Sequence, residues 1–203
     1  MKKLSALFLL VFLFSTSGTY AQESGSLDEM NRFLSKTLKY PTELRETGTM
    51  GPVVISLQID KAGYMTGEID FISGDPAFEG EINRTMSLLK EKWNPSFLEG
   101  KSFGQEYLMS FDFKMTSGSQ FPPNPFIKSS EDAKPITPLE TVNLALEENP
   151  YSPKLLNNRA EIFAQNGKQL LSDLDLNQAK FIKDKMLTEI VIVGYGPMGP
   201  KSL

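Results

Sequence analysis

The run Tyr107-Leu108-Met109-Ser110-Phe111-Asp112-Phe113-Lys114-Met115 alternates without a break. Tyr107, Met109, Phe111, Phe113 and Met115 fall on one face, and Leu108, Ser110, Asp112 and Lys114 on the other. Period-two alternation of this kind marks a strand with one buried and one wetted face. Upstream, Val53-Val54-Ile55-Ser56-Leu57-Gln58-Ile59 puts Val53, Ile55, Leu57 and Ile59 together in the same way. A second run, from about Tyr64 to Ile72, turns Met65, Ile69 and Phe71 inward and Thr66, Glu68 and Asp70 outward. Between this run and Tyr107, the residues Phe78, Ile82, Met86, Leu89 and Trp93 recur at three- and four-residue steps. That spacing gives a helix with one apolar stripe, suited to covering the apolar side of a sheet. The order strand, strand, helix, strand makes the chain α+β.

A chain of 203 residues with 40% hydrophobic and 23% charged content suits one medium globular domain or two small ones. Its net charge is −4, and −6 once Lys2 and Lys3 are removed with a leader. No basic stripe offsets phosphate repulsion, so no nucleic-acid partner is expected. The chain has neither Cys nor His. That removes thiol nucleophiles, Cys- and His-ligated zinc, His-ligated haem and every Ser-His or Cys-His pair. No disulfide staples the fold.

Residues 1–21 read as a secretory signal peptide. Lys2 and Lys3 open it, Leu4 to Phe14 is apolar, and Thr19-Tyr20-Ala21 precedes a cut before Gln22. The apolar run falls short of the roughly 20 residues that span a bilayer. The mature chain is therefore expected in the periplasm without an integral membrane anchor; the alternative is an inner-membrane anchor made by an uncleaved N-terminus. Ser26-Leu27-Asp28-Glu29 is a capping box, opening a helix to about Lys39 with Leu27, Met30, Leu34 and Leu38 as its stripe. Pro41 stops it, and Gly48 and Gly51 punctuate a loop before the first strand. Asp60-Lys61-Ala62-Gly63 is a hairpin turn. Asp75-Pro76 caps the second helix and Asn94-Pro95 ends it, with Trp93 as a core plug between helix and sheet.

These residues carry a resemblance. Tyr40-Pro41, the Gly48/Gly51 pair, Ile59-Asp60-x-x-Gly63, Trp93-Asn94-Pro95 with Gly100, and Tyr107-x-x-x-Phe111-x-Phe113 resemble the C-terminal domain of TonB energy transducers, in the family's order and at about its spacings over residues 27–115. The resemblance implies a small antiparallel three-stranded sheet backed by two helices. It also implies binding of a short extended segment of an outer-membrane receptor, the TonB box, by strand addition. The strand-accepting edge would be the third strand, with Gln105, Tyr107, Met109, Phe111 and Phe113 as partner-binding residues. The physics agrees, because the edge of a three-stranded sheet leaves amides and carbonyls unpaired. The chain departs from the family at its start, where a cleavable leader and almost no spacer replace an anchor and a long Pro-rich stretch.

Pro122, Pro123 and Pro125, with Ser and Gly around them, make residues 120–135 a semi-stiff linker or, using Phe121 and Phe126 as anchors, a docking loop. Thr137-Pro138-Leu139-Glu140 is a second capping box, opening a helix to about Glu148. Ser152-Pro153 opens another, with Leu156, Ala160 and Phe163 inward, and a third runs from about Gln169 to Leu187. Leu156, Ala160, Phe163, Gly167, Ser172, Leu176 and Ala179 sit at spacings similar to a tetratricopeptide repeat, in a single copy where about three are needed for independent stability. The segment 136–187 is therefore either a TPR-like unit or an ordinary three-helix appendage, packed on the sheet domain or on a partner.

The tail offers two readings. Gly194-Tyr195-Gly196-Pro197-Met198-Gly199 is a literal dinucleotide fingerprint. Pro197 and Pro200 stand where the required helix would begin, so nucleotide is not expected. Thr188-Glu189-Ile190-Val191-Ile192-Val193-Gly194-Tyr195-Gly196 instead resembles the segment of SusC-type receptors that contains or adjoins the TonB box. The chain then carries a TonB-like module and a mimic of the segment such modules bind. Glu189 to Tyr195 is expected to pair as a strand: in cis, in trans by self-association, with a separate transducer, or simply as the last strand of its own sheet.

Asp173-x-Asp175-x-Asn177 copies the start of a calcium loop, but Leu174 and Leu176 fit a solvated helix and the Gly and terminal Glu are missing. Glu79 and Glu81 read as surface charges. No enzyme, cofactor or metal is expected. The organisation is a leader at 1–21, a TonB C-terminal-like domain at 22–119, a linker at 120–135, a helical segment at 136–187 and a β tail at 188–203. The expected function is a periplasmic protein-binding module in TonB-dependent outer-membrane transport or its regulation. The alternative is an envelope scaffold whose sheet edge is capped by its own C-terminal strand and whose helices bind the partner.

Overall fold

A computed structural model describes residues 26–116 and 136–195. The leader, the proline-rich stretch with Phe121 and Phe126, and the glycines beyond Tyr195 lie outside the described residues. Four strands are formed: β1 (Gly51–Ile59), β2 (Met65–Ser73), β3 (Glu106–Thr116) and β4 (Met186–Tyr195). They make one mixed sheet in the order β2-β1-β3-β4, antiparallel except where β4 runs parallel to β3. The helices are α1 (Ser26–Thr37), α2 (Thr42–Thr47), α3 (Glu79–Glu91), α4 (Pro138–Glu148), α5 (Pro153–Gln165) and α6 (Gln169–Lys185). The α+β class follows directly, but the sheet has four strands, because the C-terminal strand joins the three expected from the first half of the chain.

The main core follows the alternation read from the strands. Val53, Ile55, Leu57 and Ile59 of β1 and Tyr107, Met109, Phe111 and Phe113 of β3 meet Met30 and Leu34 of α1 and Ile82, Met86 and Leu89 of α3. Phe78 lies against Phe113 with ring centroids 4.0 Å apart, and Trp93 closes the end of the layer. Trp93 does act as a plug: it is buried, and its Nε1 donates to the Gly63 carbonyl at 2.8 Å.

The other side of the sheet departs from the expected wetted face. Val54, Ser56 and Leu108 are buried, because the C-terminal helices pack over them through Leu146, Leu156, Ala179 and Ile182. Alternation marks two different faces; it does not say whether a second layer will arrive to cover the polar one. The helical segment therefore packs on this chain's own sheet. Leu156, Ala160, Ser172 and Ala179 are buried, Phe163 is only partly so, and Leu176 is exposed although the repeat-like spacing includes it.

Local signals explain most boundaries. Thr137 Oγ1 accepts from the Glu140 N–H while Glu140 accepts from the Thr137 N–H, so the second capping box is closed. Asp75 accepts from the Ala77 N–H at 2.9 Å, capping a 3-10 turn (Pro76–Phe78) that leads into α3. Asn94 likewise accepts from the Ser96 N–H and starts a second such turn at Pro95–Leu98. A short helix, α2, occupies the loop expected before β1 and closes on Gly48 at φ +73. The last helix ends two residues earlier than the apolar pattern suggests, and Leu187 turns into the main core as part of β4.

Two charged groups also depart from expectation. Asp175 lies in no solvated face: it is 7% exposed and receives both Arg159 Nε and Nη2 at 2.8 Å. Glu81 is no free surface charge: it accepts from Arg84 and, at 2.6 Å, from the Lys39 N–H. In both places a segment distant in sequence supplies a partner: Arg159 of α5 for Asp175, and the Lys39 amide beyond the end of α1 for Glu81.

Candidate strand-binding site

β3 is paired along both of its edges. On one side β1 binds it from Gly51↔Phe113 to Gln58↔Glu106; on the other β4 runs from Leu108↔Met186 to Thr116↔Tyr195. Of the residues expected at the strand-accepting edge, Met109, Phe111 and Phe113 pair with Thr188, Ile190 and Ile192, whereas Gln105 and Tyr107 lie before the paired stretch, which begins at Leu108↔Met186. The edge expected to take a receptor segment is occupied by this chain's own tail, which pairs in cis.

Met109, Phe111 and Phe113 pair with β4 through their backbone, and their side chains share the main core with Ile190 and Ile192. Tyr107, Met109, Phe111 and Phe113 are fully buried and point toward α1 and α3. Gln105 lies one residue before β3; its Nε2 donates to the Tyr107 hydroxyl at 2.6 Å and its Oε1 accepts from Lys185 Nζ at 3.0 Å. The Tyr107 hydroxyl in turn donates to the Ser102 carbonyl. This chain of bonds ties the start of β3 to the end of α6, and so sets where β4 begins.

From Thr188 onward β4 alternates by face; just before it the register shifts, and Leu187 and Thr188 are both buried. Leu187, Ile190 and Ile192 are buried in the main core beside α1, and Thr188 Oγ1 meets Asn31 Oδ1 at 2.5 Å. Glu189, Val191, Val193 and Tyr195 point away and are exposed. Gly194 is buried at the far end, opposite Met115. A Cβ built there would stand 2.6 Å from Tyr40 Cδ2 and 2.9 Å from Met115 Sδ. Tyr40 is fixed in turn: its hydroxyl donates to the Thr49 carbonyl and its ring meets Phe78 and Phe113 edge-on at 5.9 and 5.4 Å. Burial raises the Tyr40 phenol above its ordinary pKa, so it stays a neutral donor.

Asn31 and Tyr40 line this groove and were not singled out from sequence as binding residues. Tyr40-Pro41 was visible as a motif, but its side chain's reach across the sheet to the C-terminal strand depends on tertiary packing. At the opposite edge, β2 and α3 border a cleft of about 370 Å³ floored by Leu57, Met65 and Met86 and rimmed by Asn83 and Lys90. Lys90 Nζ donates there to the Gly67 carbonyl at 3.2 Å. Among the described residues no group of three His, Cys, Asp or Glu side chains could hold a metal, and no helix is long and apolar enough to cross a membrane. Gly194 and Tyr195, which open the dinucleotide-like glycine motif, belong to β4 itself. Compared with known proteins, the chain matches no protein-family model, no curated protein and no solved structure.

Proposed function

We propose that this chain is a TonB-like periplasmic protein-binding module that recognises an extended segment by strand addition along β3, in TonB-dependent outer-membrane transport or its regulation. The observation that supports this reading is the parallel seating of β4 on β3. The sheet edge accepts a segment whose sequence resembles a receptor's TonB-box region, and it does so with main-chain pairing plus burial of alternate side chains. In this reading β4 is a regulatory occupant, and a receptor segment gains access when β4 yields. Burial of Leu187, Ile190 and Ile192, at about 1.5–3 kcal/mol each, sets the barrier that a competitor must overcome.

The test is titration of the mature chain with a labelled peptide copying Thr188 to Gly199, against a chain ending before Thr188. Saturable binding by the shortened chain and weak binding by the intact one is the expected result. Binding by neither, with both folded, overturns the reading.

A second reading has its own observation. Leu170, Leu174 and Phe181 lie on one face of α6 and are 74%, 57% and 57% exposed. A scaffold whose edge is permanently capped would use such a helix face for its partner. Partner capture lost on Leu174→Asp but indifferent to competing peptide would favour the scaffold.

A further inference from the structure

We propose that Tyr40 is a glycine filter, so that the β3 groove admits only strands carrying glycine at the place of Gly194. This rests on the strand-addition reading and names the partner: an extended protein segment of the pattern Thr-x-Ile/Val-x-Ile/Val-x-Gly, running parallel to β3.

The pattern comes from how β4 sits. Thr188, Ile190, Ile192 and Gly194 face the layer under α1, and Glu189, Val191 and Val193 face away. Only the first set is read by side chains; the second contributes backbone pairing, which is indifferent to sequence. Asn31 meets the threonine hydroxyl, and the core receives the two branched residues. The final position is read by exclusion.

Gly194 does not owe its place to backbone freedom, since it is not among the glycines with positive φ. Its requirement is space. The two side chains that a Cβ would strike differ in kind: Met115 Sδ is near the end of a flexible chain and can move, whereas two atoms of the Tyr40 ring stand in the way and the ring is held. That ring is tethered at its hydroxyl to Thr49 and packs edge-on against the stacked pair Phe78 and Phe113. Anything larger than hydrogen therefore displaces either the incoming strand or a packed aromatic cluster, and overpacking of this kind is costly.

The experiment uses the full chain with Gly194→Val, which disfavours its own strand. Three labelled peptides are titrated: the native Met186–Tyr195 sequence, the same with alanine in place of the glycine, and the same with threonine in place of Val191 and Val193. The native and threonine peptides should bind alike, and the alanine peptide at least about tenfold more weakly. Adding Tyr40→Ala to the receiving chain should erase that difference. Equal binding of native and alanine peptides removes the filter while leaving strand addition standing; no binding of any peptide by a folded chain removes both. Should Gly194→Val fail to fold, the melting temperatures of Gly194→Ala chains decide the matter. The loss caused by Gly194→Ala should be larger with Tyr40 present than in the Tyr40→Ala background, and equal losses overturn the proposal.

Discussion

Gly63 and Glu81 show how far single residues can be read from the chain. Gly63 closes the Asp60 turn at φ +88, where Asp60 Oδ1 accepts from the Ala62 and Tyr64 N–H groups at 2.8 Å each. A turn was legible there because local chemistry makes it. Glu81 was only half legible: Arg84 is its neighbour three residues on in α3, but the Lys39 N–H comes from the exit of α1, and Arg84 itself also donates to the Thr37 carbonyl. Burial pushes the Glu81 carboxyl up, but hydrogen bonds from Arg84 and Lys39 and the nearby guanidinium charge outweigh it, leaving it below its ordinary value of 4.5. A carboxyl depressed by folding contributes stability that is fully present above the ordinary value and is lost as pH falls through the folded one. Glu81→Gln removes that contribution. In urea titrations the variant should be less stable than the parent at about pH 7, and the gap should narrow toward about pH 3. A gap of the same size at both pH values would show that the carboxylate charge plays no part.

At the scale of elements, helices with a cap and a stripe were legible, and so were the first three strands. The covering of the sheet's second face was not, since Val54 and Leu108 carry no mark of the helices that bury them. The α5–α6 hairpin shows what decides such packing. Its turn has Gly167 at φ +70, and its interior is held by small residues, Ala160, Ser172 and Ala179, with one ion pair where Arg159 binds Asp175 bidentately. Hydrogen bonding to Asp175 raises the Arg159 guanidinium above its ordinary pKa, and Asn143 of α4 also accepts from Nη1 at 3.2 Å. Arg159→Met leaves the Asp175 carboxylate buried and unpaired. The expected loss is about 2 kcal/mol, less than for a fully enclosed pair because the Arg159 side chain is 27% exposed. Replacing both residues by apolar ones of similar size should recover most of it, as chemical denaturation of the two variants would show; an equal loss in both would point to packing instead of charge.

At the scale of the whole molecule, β4 begins at Met186 directly after α6 ends at Lys185, with no connecting loop. The strand's position is therefore coupled to the docking of α6 on β3, helped by Lys101 Nζ donating to the Asp184 carbonyl at 3.1 Å. Ala179→Glu places a charge under α6 at a site 3% exposed. It should strip amide-exchange protection from β4 while β1 and β2 retain theirs. Protection lost evenly across the sheet would mean that strand and helices open only with global unfolding. The same arrangement has a consequence in time. The β1–β2 hairpin joins residues as close as Ile59 and Met65, six apart, whereas Lys185 meets Gln105 across 80 residues. Loop-closure entropy makes the distant pairing costlier by about 2 kcal/mol, so β4 is expected to dock late in folding. Until it does, the outer edge of β3 stands bare beside a core already forming, and any other extended chain nearby competes for it during that interval, when no resident strand has yet to be displaced.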